Sequence, residues 1–593
     1  MYIQESFKLL SNPAHYEKIP LDPTADYQVE VSSTIRSFIR SQSLPPEAHK
    51  LIPSDPRCSI FYILPKIHKD GNPGRPIVST ISCPTSIISD FIDSICQPIL
   101  INTPSYLKDT KHCLQILNDF HFCGNQRFII TGDVQSLYTV ISHEKGLISL
   151  KHFLDNRVVQ QPPTSVIIRL AELVLKLNAF KFNNEYYKQV SGVAMGTKMG
   201  PVFACLHLAY LEQKFFESYT GPVPTLFKRY VDDYLLFFSC PPEQVNSFLS
   251  QYSNIDNEIN ITWSNLSSQA PFLDISISIT EGSDQVQTTV YSKPTDSHSY
   301  LLFNSFHPKH LLTSIPFSQF LRLRRICSDE ANFISLCDQY KSYFLNRGYP
   351  SRLLDRAISK AHSRNRHELL FSSRPRNNDK VLPLVVTHSP LSESLSNKST
   401  SLFKDIISQD NITSPIFPNP PVKSFRKPSS LRNLLVRSDI SSNRQRETDP
   451  YPGTFPCLRK TTRKCVTCDH TNPAPIISTN VSKFYVKKHY SCTTECLIYA
   501  ITCTNCPNTI YIGETGKRLG DRFQQHRYDI INNNNTAVGC HFNLPNHSLE
   551  NIKVSVLTQA PRPEQSRLPL ENKIIFQFRS FRSPGLNTNF SFL

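Results

Sequence analysis

Residues Phe227-Lys-Arg-Tyr-Val-Asp-Asp-Tyr-Leu-Leu-Phe-Phe238 decide how this chain is read. The aromatic and aliphatic residues on either side of Asp232-Asp233 suit two buried strands. The acids fall at the turn between them, so the pattern predicts a hairpin tipped with a carboxylate doublet. Adjacent carboxylates are poor core material, because they repel unless cations neutralise them. Mg²⁺ is a hard cation that takes carboxylate oxygens and keeps waters and substrate phosphates as its other ligands. A two-metal phosphoryl-transfer centre needs a further acid from a neighbouring strand. Upstream, Phe128-Ile-Ile-Thr-Gly-Asp133-Val-Gln-Ser-Leu-Tyr138 offers one, an apolar strand that ends in an acid and then turns. Alone, Asp133 reads more simply as a cap or turn acid. Beside the doublet it is expected to join Asp232 and Asp233 in caging two Mg²⁺ ions, with Mn²⁺ as a substitute.

Two further strings fit the same chemistry. Ser191-Gly-Val-Ala-Met-Gly196-Thr-Lys-Met-Gly-Pro201 opens a helix predicted over Val202 to Glu212. Gly196 would let backbone approach a nucleotide closely, and a helix N-terminus favours phosphate. A plain turn before a core helix reads equally well. Phe61-Tyr-Ile-Leu-Pro-Lys66 is followed by Gly74-Arg75-Pro-Ile-Val-Ser79. Lys66 as a point charge and Arg75 as a fork are expected to grip a triphosphate; the alternative is an ordinary basic hairpin.

These strings, in this order, resemble the fingers and palm of a reverse transcriptase, in the form found in Penelope-like retroelements, relatives of telomerase. The resemblance runs over about residues 15–360, through Phe272-Leu-Asp-Ile275, Tyr291-Ser-Lys-Pro-Thr-Asp296, Ser305-Phe-His-Pro308 and Ile315-Pro-Phe-Ser-Gln-Phe-Leu-Arg322. It implies that Asp133, Asp232 and Asp233 are catalytic and that a helical thumb follows residue 310. Most members carry a stretch upstream of the point where this chain begins, which implies a truncated copy.

The C-terminal part holds a second constellation. Cys496-Leu-Ile-Tyr499-Ala-Ile and Thr509-Ile-Tyr511-Ile-Gly513-Glu-Thr-Gly516 read as short strands, and Lys517-Arg-Leu-Gly-Asp-Arg522-Phe-Gln-Gln-His526-Arg-Tyr as a helix. Arg522 and His526, four apart, share one helical face. Leu568-Pro-Leu-Glu571-Asn-Lys-Ile-Ile-Phe reads as another helical start, and the tail contains Pro584-Gly-Leu-Asn587. A tyrosine oxygen can position an attacking water, an arginine can neutralise a pentacoordinate phosphate, and a lone glutamate can hold one divalent metal. About residues 490–590 resemble the GIY-YIG nucleases, with Leu-Ile-Tyr in place of the first triplet. That resemblance implies catalytic roles for Tyr499, Tyr511, Arg522 and Glu571, the last as a Mg²⁺ ligand, with His526 and Asn587 assisting.

Of 17 cysteines, eight (Cys457, Cys465, Cys468, Cys492, Cys496, Cys503, Cys506 and Cys540) fall within 84 residues. The N-terminus lacks the basic and apolar regions of a secretory signal, and no run of about 18 apolar residues could span a membrane. Such crowding in a reducing compartment points to metal ligation rather than disulfides. Cys503, Cys506, His541 and His547 suit tetrahedral Zn²⁺; buried free cysteines with surface histidines are the alternative. Cys465 and Cys468, with Cys457 and either Cys492 or His470, suit another site, which would turn Arg459, Lys460, Arg463 and Lys464 toward DNA; unpaired knuckle-like cysteines in a flexible basic stretch are the alternative.

The 593 residues suggest about three to five domains. Lys plus Arg exceed Asp plus Glu by 64 to 48, a net charge of +16 that favours a polyanionic partner. The expected fold is α+β and multidomain, a right-hand polymerase followed by a small α/β GIY-YIG nuclease. Its expected parts are a helical segment 1–54, fingers and palm 55–310, a thumb 311–366, a linker 367–450, a basic cysteine-containing segment 451–490 and a nuclease 491–593. The resulting functional expectation is an RNA-directed DNA polymerase coupled to a DNA-nicking endonuclease, serving target-primed reverse transcription of a mobile element. Its partners would be template RNA, target DNA, a primer 3′ end and deoxynucleoside triphosphates, with no membrane. It would be made in the cytoplasm and act in the nucleus. The rival readings are a non-catalytic nucleic-acid-binding relic and a nuclease with an idle polymerase half.

Overall fold

The structure, a computed structural model, describes residues 2–67, 71–124, 126–280, 282–372, 382–409, 414, 419–428, 430, 452–457, 465–560 and 564–587. Arg459, Lys460, Arg463 and Lys464 lie outside the described residues. The chain is a mixed α/β protein that divides into two compact units, 1–437 and 438–593. No helix among the described residues is long and apolar enough to cross a membrane.

The first unit is organised around a four-stranded sheet in the order Leu226–Tyr230, Asp233–Phe238, Phe128–Val134, Ile261–Trp263. The run Tyr234-Leu-Leu-Phe-Phe238 is completely buried because the sheet is covered on both faces. Strand alternation sends Tyr234, Leu236 and Phe238 into a core with the helices Met199–Ser218 and Pro242–Tyr252. It sends Leu235 and Phe237 into a second core with Leu114, Phe122, Phe272 and Ile275. Each such side chain stabilises the sheet by about 1.5–3 kcal/mol. Gly132 sits mid-strand for a packing reason: it pairs with Trp263, and a Cβ there would collide with the indole ring.

A five-stranded sheet has the order Tyr16–Ile19, Glu185–Gln189, Ala179–Phe182, Ser59–Pro65, Gly74–Ser79. Its core is Phe61, Ile63, Phe180, Phe182 and Tyr187, covered by Leu10 and Tyr16. The expected separate helical segment 1–54 is therefore corrected. Tyr16–Ile19 is an edge strand of this sheet, too short for its alternation to stand out from the helices on either side.

Three helices, Lys309–Ile326, Glu330–Leu345 and Ser351–His362, pack around Phe320, Phe333, Tyr340, Phe344 and Leu354. Asp329 caps the second through Asn332 N–H. Of the expected linker 367–450, residues 373–381, 410–413, 415–418, 429 and 431–450 lie outside the described residues, and the described part holds regular structure. Strands Pro383–Thr387 and Val422–Arg426 pair in parallel on either side of the helix Ser392–Gln409. This helix was illegible because serines form its buried face. Ser392 and Ser396 are buried, and Ser396 and Thr400 return their hydroxyls to carbonyls four residues back.

In the second unit the strand Glu495–Cys503 lies between Ile510–Arg518 and Ile552–Gln559. The helices Leu519–Ile531, Ala537–Phe542 and Glu564–Phe578 complete its core. The described residues of the expected segment 451–490 are tied to this sheet. Gly453–Phe455 pairs with His489–Ser491, and buried Thr454 accepts a hydrogen bond from Val556 N–H (2.7 Å), fastening it to the sheet.

Candidate active sites and metal centres

In the first unit, antiparallel register sets Asp133 directly opposite Asp233, and Val134 N–H donates to the Asp232 carbonyl (2.9 Å). Cα atoms in such pairs stand ~4.5–5.5 Å apart, so three carboxylates meet at one end of the sheet. The turn that delivers the doublet is strained. Val231, a β-branched residue, has φ of 58°, a conformation that costs about 1–3 kcal/mol and persists only where its surroundings enforce it. Burial, then the charges of Asp232 and Asp133, push the Asp233 carboxyl up to about 6, against the pull of Lys293. Burial followed by Asp133 also raises Asp232, opposed by Arg75 and Lys66. Those two expected triphosphate residues thus lie within electrostatic reach of the acids. A cleft of about 410 Å³ beside the acids is lined by Asp133, Asp233, Gln135, Thr262 and Trp263. Three crowded carboxylates beside an open cleft are a donor set suited to Mg²⁺.

Gly196 has a different neighbour from the one expected. With φ of 128°, it lies where a Cβ would collide with the Val78 carbonyl, and Thr80 Oγ1 donates to its oxygen (2.9 Å). Its lack of a side chain is required by the close pass against the strand Gly74–Ser79. Sequence reading missed Lys293, although its string was singled out, and it missed the tie between Asp274 and the first of the three helices. Arg322 Nη2 donates to Asp274 Oδ2 (2.7 Å), and Thr110 Oγ1 donates to Asp274 Oδ1 (2.5 Å).

The second unit brings four expected residues together. Arg522 Nε donates to Tyr499 Oη (3.0 Å), which leaves the Tyr499 hydroxyl to donate to His526 Nε2 (2.7 Å). Burial holds His526 down to about 4, so its ring is neutral and able to accept. The rings of Tyr511 and His526 are 5.6 Å apart. Tyr499 is only 1% exposed. Tyr511, Arg522 and His526, not Tyr499, line a cleft of about 730 Å³. Tyr511 is therefore the tyrosine that faces the cleft, and Tyr499 braces the arginine and histidine. Gly513 is paired with Tyr499, and a Cβ there would press on both phenol rings.

Glu571 lies inside the helix Glu564–Phe578 rather than at a helical start, because Pro569 is accommodated within it. Burial and then Glu514 push its carboxyl up to about 7, opposed by Arg522. Glu514 itself accepts from Arg567 Nε (2.5 Å). Asn587, expected to assist, is engaged with the strand beside it. Its Nδ2 donates to the Ile512 carbonyl (2.7 Å), and its Oδ1 accepts from Ile512 N–H (2.9 Å) and from Ser580 Oγ (2.8 Å). With both ends of the amide engaged, it anchors the strand that carries Tyr511.

Ligand atoms of Cys503, Cys506, His541 and His547 all lie within 4.8 Å of one another, as do those of Cys457, Cys465, Cys468 and Cys492. In the first set His541 Nε2 is buried with no hydrogen-bond partner among the described residues, as a ligand nitrogen would be. His547 Nδ1 meets the Pro545 carbonyl (3.1 Å), which frees Nε2 toward Cys506 Sγ (3.1 Å). In the second set the sulfurs approach to 3.5–3.6 Å, within a few tenths of an ångström of the ~3.8 Å between thiolates on a tetrahedron of ~2.3 Å bonds. Cys492 is the fourth member, because His470 is engaged with the Ile552 carbonyl and the Phe523 ring.

A family model described as an animal helix-turn-helix domain matches residues 299–359, the span of the three-helix element. No curated protein matches the chain in sequence. Similar solved structures include telomerase from Candida albicans, at 12% identity and a TM-score of 0.39, covering 62% of this chain. The chain spans 64% of the length of that telomerase. The RNA-dependent RNA polymerase of a human picobirnavirus is similar at 11% identity over 62% of this chain and 78% of its own, with a TM-score of 0.36. The Sicinivirus 3Dpol polymerase is similar at 11% identity over 56% and 71%, with a TM-score of 0.35. All three scores lie below 0.5, so the chemistry has to be argued from the sites themselves.

Proposed function

We propose that the first unit is an RNA-directed DNA polymerase of the Penelope-like kind and the second a GIY-YIG endonuclease that nicks DNA. The observation that carries this reading is the register of Asp133 opposite Asp233, beside Asp232. Asp133, Asp232 and Asp233 would hold a pair of Mg²⁺ or Mn²⁺ ions, which supply charge neutralisation at the primer 3′-hydroxyl and at the departing pyrophosphate. Lys66 and Arg75, within electrostatic reach of Asp232, bind the triphosphate. The helices of 309–362 grip the template–primer duplex, a role compatible with the helix-turn-helix match.

In the second unit, Tyr511 orients the attacking water, and neutral His526 accepts from the Tyr499 hydroxyl and so holds the tyrosine that braces Arg522. Arg522, held by Tyr499, balances charge on the phosphate. Glu571 would hold one divalent ion, which supplies neutralisation at the leaving oxygen. Zn²⁺ would fit Cys503, Cys506, His541 and His547, and also the four-cysteine set, contributing stability to loops that lack a core of their own. Nicking leaves a 3′-hydroxyl, and the polymerase extends such an end on an RNA template. The substrates are therefore target DNA, template RNA and deoxynucleoside triphosphates, and the place of work is the nucleus.

Separation of the two activities tests this. Asp232→Asn should abolish Mg²⁺-dependent extension and spare nicking; Glu571→Ala should do the reverse. Purified protein with neither activity would favour the nucleic-acid-binding relic, and nicking alone would favour an idle polymerase half.

A further inference from the structure

We propose that Arg229 is a positioning residue that sets the aim of Asp232 and Asp233, an inference that rests on the polymerase reading of their site. Arg229 belongs to the strand Leu226–Tyr230, yet its side chain is turned inward and the residue is 3% exposed. Its Nε donates to Glu212 Oε1 (2.5 Å) and its Nη2 to the Cys205 carbonyl (3.1 Å), both on the helix Met199–Ser218. Its Nη1 donates to the carbonyl of Val231 (3.0 Å), and the Tyr234 ring lies 5.8 Å from the guanidinium carbon. Glu212 is equally enclosed and accepts from Ser105 Oγ and Tyr234 Oη as well. Tyr252 Oη in turn donates to Tyr234 Oη (3.0 Å).

A buried ion pair is weak evidence for stability, because an apolar pair of the same volume often serves as well. This pair also holds one particular peptide. Val231 is the residue with φ of 58°, and the next two residues are the acids. Release of its carbonyl lets that β-branched residue return toward ordinary dihedrals, which turns the doublet away from Asp133. The guanidinium fork reaches three acceptors in fixed directions, which an ammonium cannot reproduce. Arg229 also ties the hairpin to the helix that follows the Gly-rich loop, so the acids and that loop are held to one frame.

The test uses the full chain. Arg229→Lys, and the apolar pair Arg229→Met with Glu212→Leu, should raise the Mg²⁺ concentration for half-maximal extension about tenfold or more, the loss of one charged hydrogen bond. The KM for the nucleoside triphosphate should move much less, and nicking should be unchanged. Tb³⁺ luminescence sensitised by Tyr230 and Tyr234 should report the same weakening without nucleotide or primer. Ser105→Ala removes a bond to Glu212 and leaves the Val231 contact, so its Mg²⁺ titration should match wild type. Wild-type Mg²⁺ and Tb³⁺ titrations in a folded Arg229 variant, or an equal shift in Ser105→Ala, would overturn the inference. If wild type extends no primer while Tb³⁺ binding still weakens in Arg229→Lys, the polymerase reading fails and the positioning role stands.

Discussion

Replacing Asp233 with Asn should make the metal-free protein more stable while destroying its ability to hold Mg²⁺. Burial and the charges of Asp232 and Asp133 carry the Asp233 carboxyl from 3.8 to about 6. In the unfolded chain that carboxyl ionises near its ordinary value. Between about pH 4 and 6 the folded state therefore keeps a proton that the unfolded state has released, and stability falls as pH rises through this window. A shift of about two units corresponds to ~3 kcal/mol, and screening at this partly exposed group brings the expected figure to ~1–2 kcal/mol. Asn carries no charge, so the variant gains that amount above about pH 6 and almost nothing near pH 4. Thermal unfolding in a chelator at the two pH values reads the difference, a rise of a few degrees at neutral pH at ~2–4 °C per kcal/mol. Millimolar Mg²⁺ should then reverse the order, because only wild type gains a ligand. A variant less stable than wild type at neutral pH without metal, or one with the same gain at both pH values, would refute the picture of three carboxylates sharing one site.

Other perturbations follow from the same geometry. Because Glu571 is pushed up to about 7, nicking at limiting Mg²⁺ should fall as pH drops below about 7 and recover when Mg²⁺ is added; a profile indifferent to Mg²⁺ would contradict its role as ligand. His526 is held down to about 4, so nicking should show no inflection from it near neutrality. His526→Ala, which leaves the buried Tyr499 hydroxyl without its acceptor, should lower the cleavage rate about tenfold or more with DNA affinity unchanged, measured under single-turnover conditions. Elemental analysis should find two Zn²⁺ per chain, with Cys506→Ser and Cys468→Ser each losing one; metal-free wild type would remove both sites. Gly196→Ala should destabilise the first unit and depress extension, because its Cβ collides with backbone at Val78; a neutral effect would show that the strand yields freely.

How much of this was legible depends on what each signal encodes. Tyr230 to Phe238 carried its own hairpin, because a doublet of acids inside a run of buried aromatics has few other meanings. Asp133 was found through the chemistry it had to complete, and sheet register then placed it. Tyr499, Tyr511, Arg522 and His526 were legible as an ordered set. That Tyr499 is enclosed while Tyr511 faces the cleft depends on which strand is central, and the residues do not encode this locally. Ser392–Gln409 was hidden because its serines satisfy their hydroxyls within the helix. Arg229 was hidden for a related reason: an arginine beside a lysine reads as surface charge, and only the Glu212 carboxylate seventeen residues earlier makes burial possible.

Anomalous diffraction from crystals of the first unit's site loaded with Mn²⁺, a primer–template and an incoming nucleotide would test the central claim most directly. Two peaks ~3.5–4 Å apart, bridged by Asp133 and the Asp232–Asp233 doublet, are the expected result. Ordered nucleotide with no metal at these three carboxylates would contradict it.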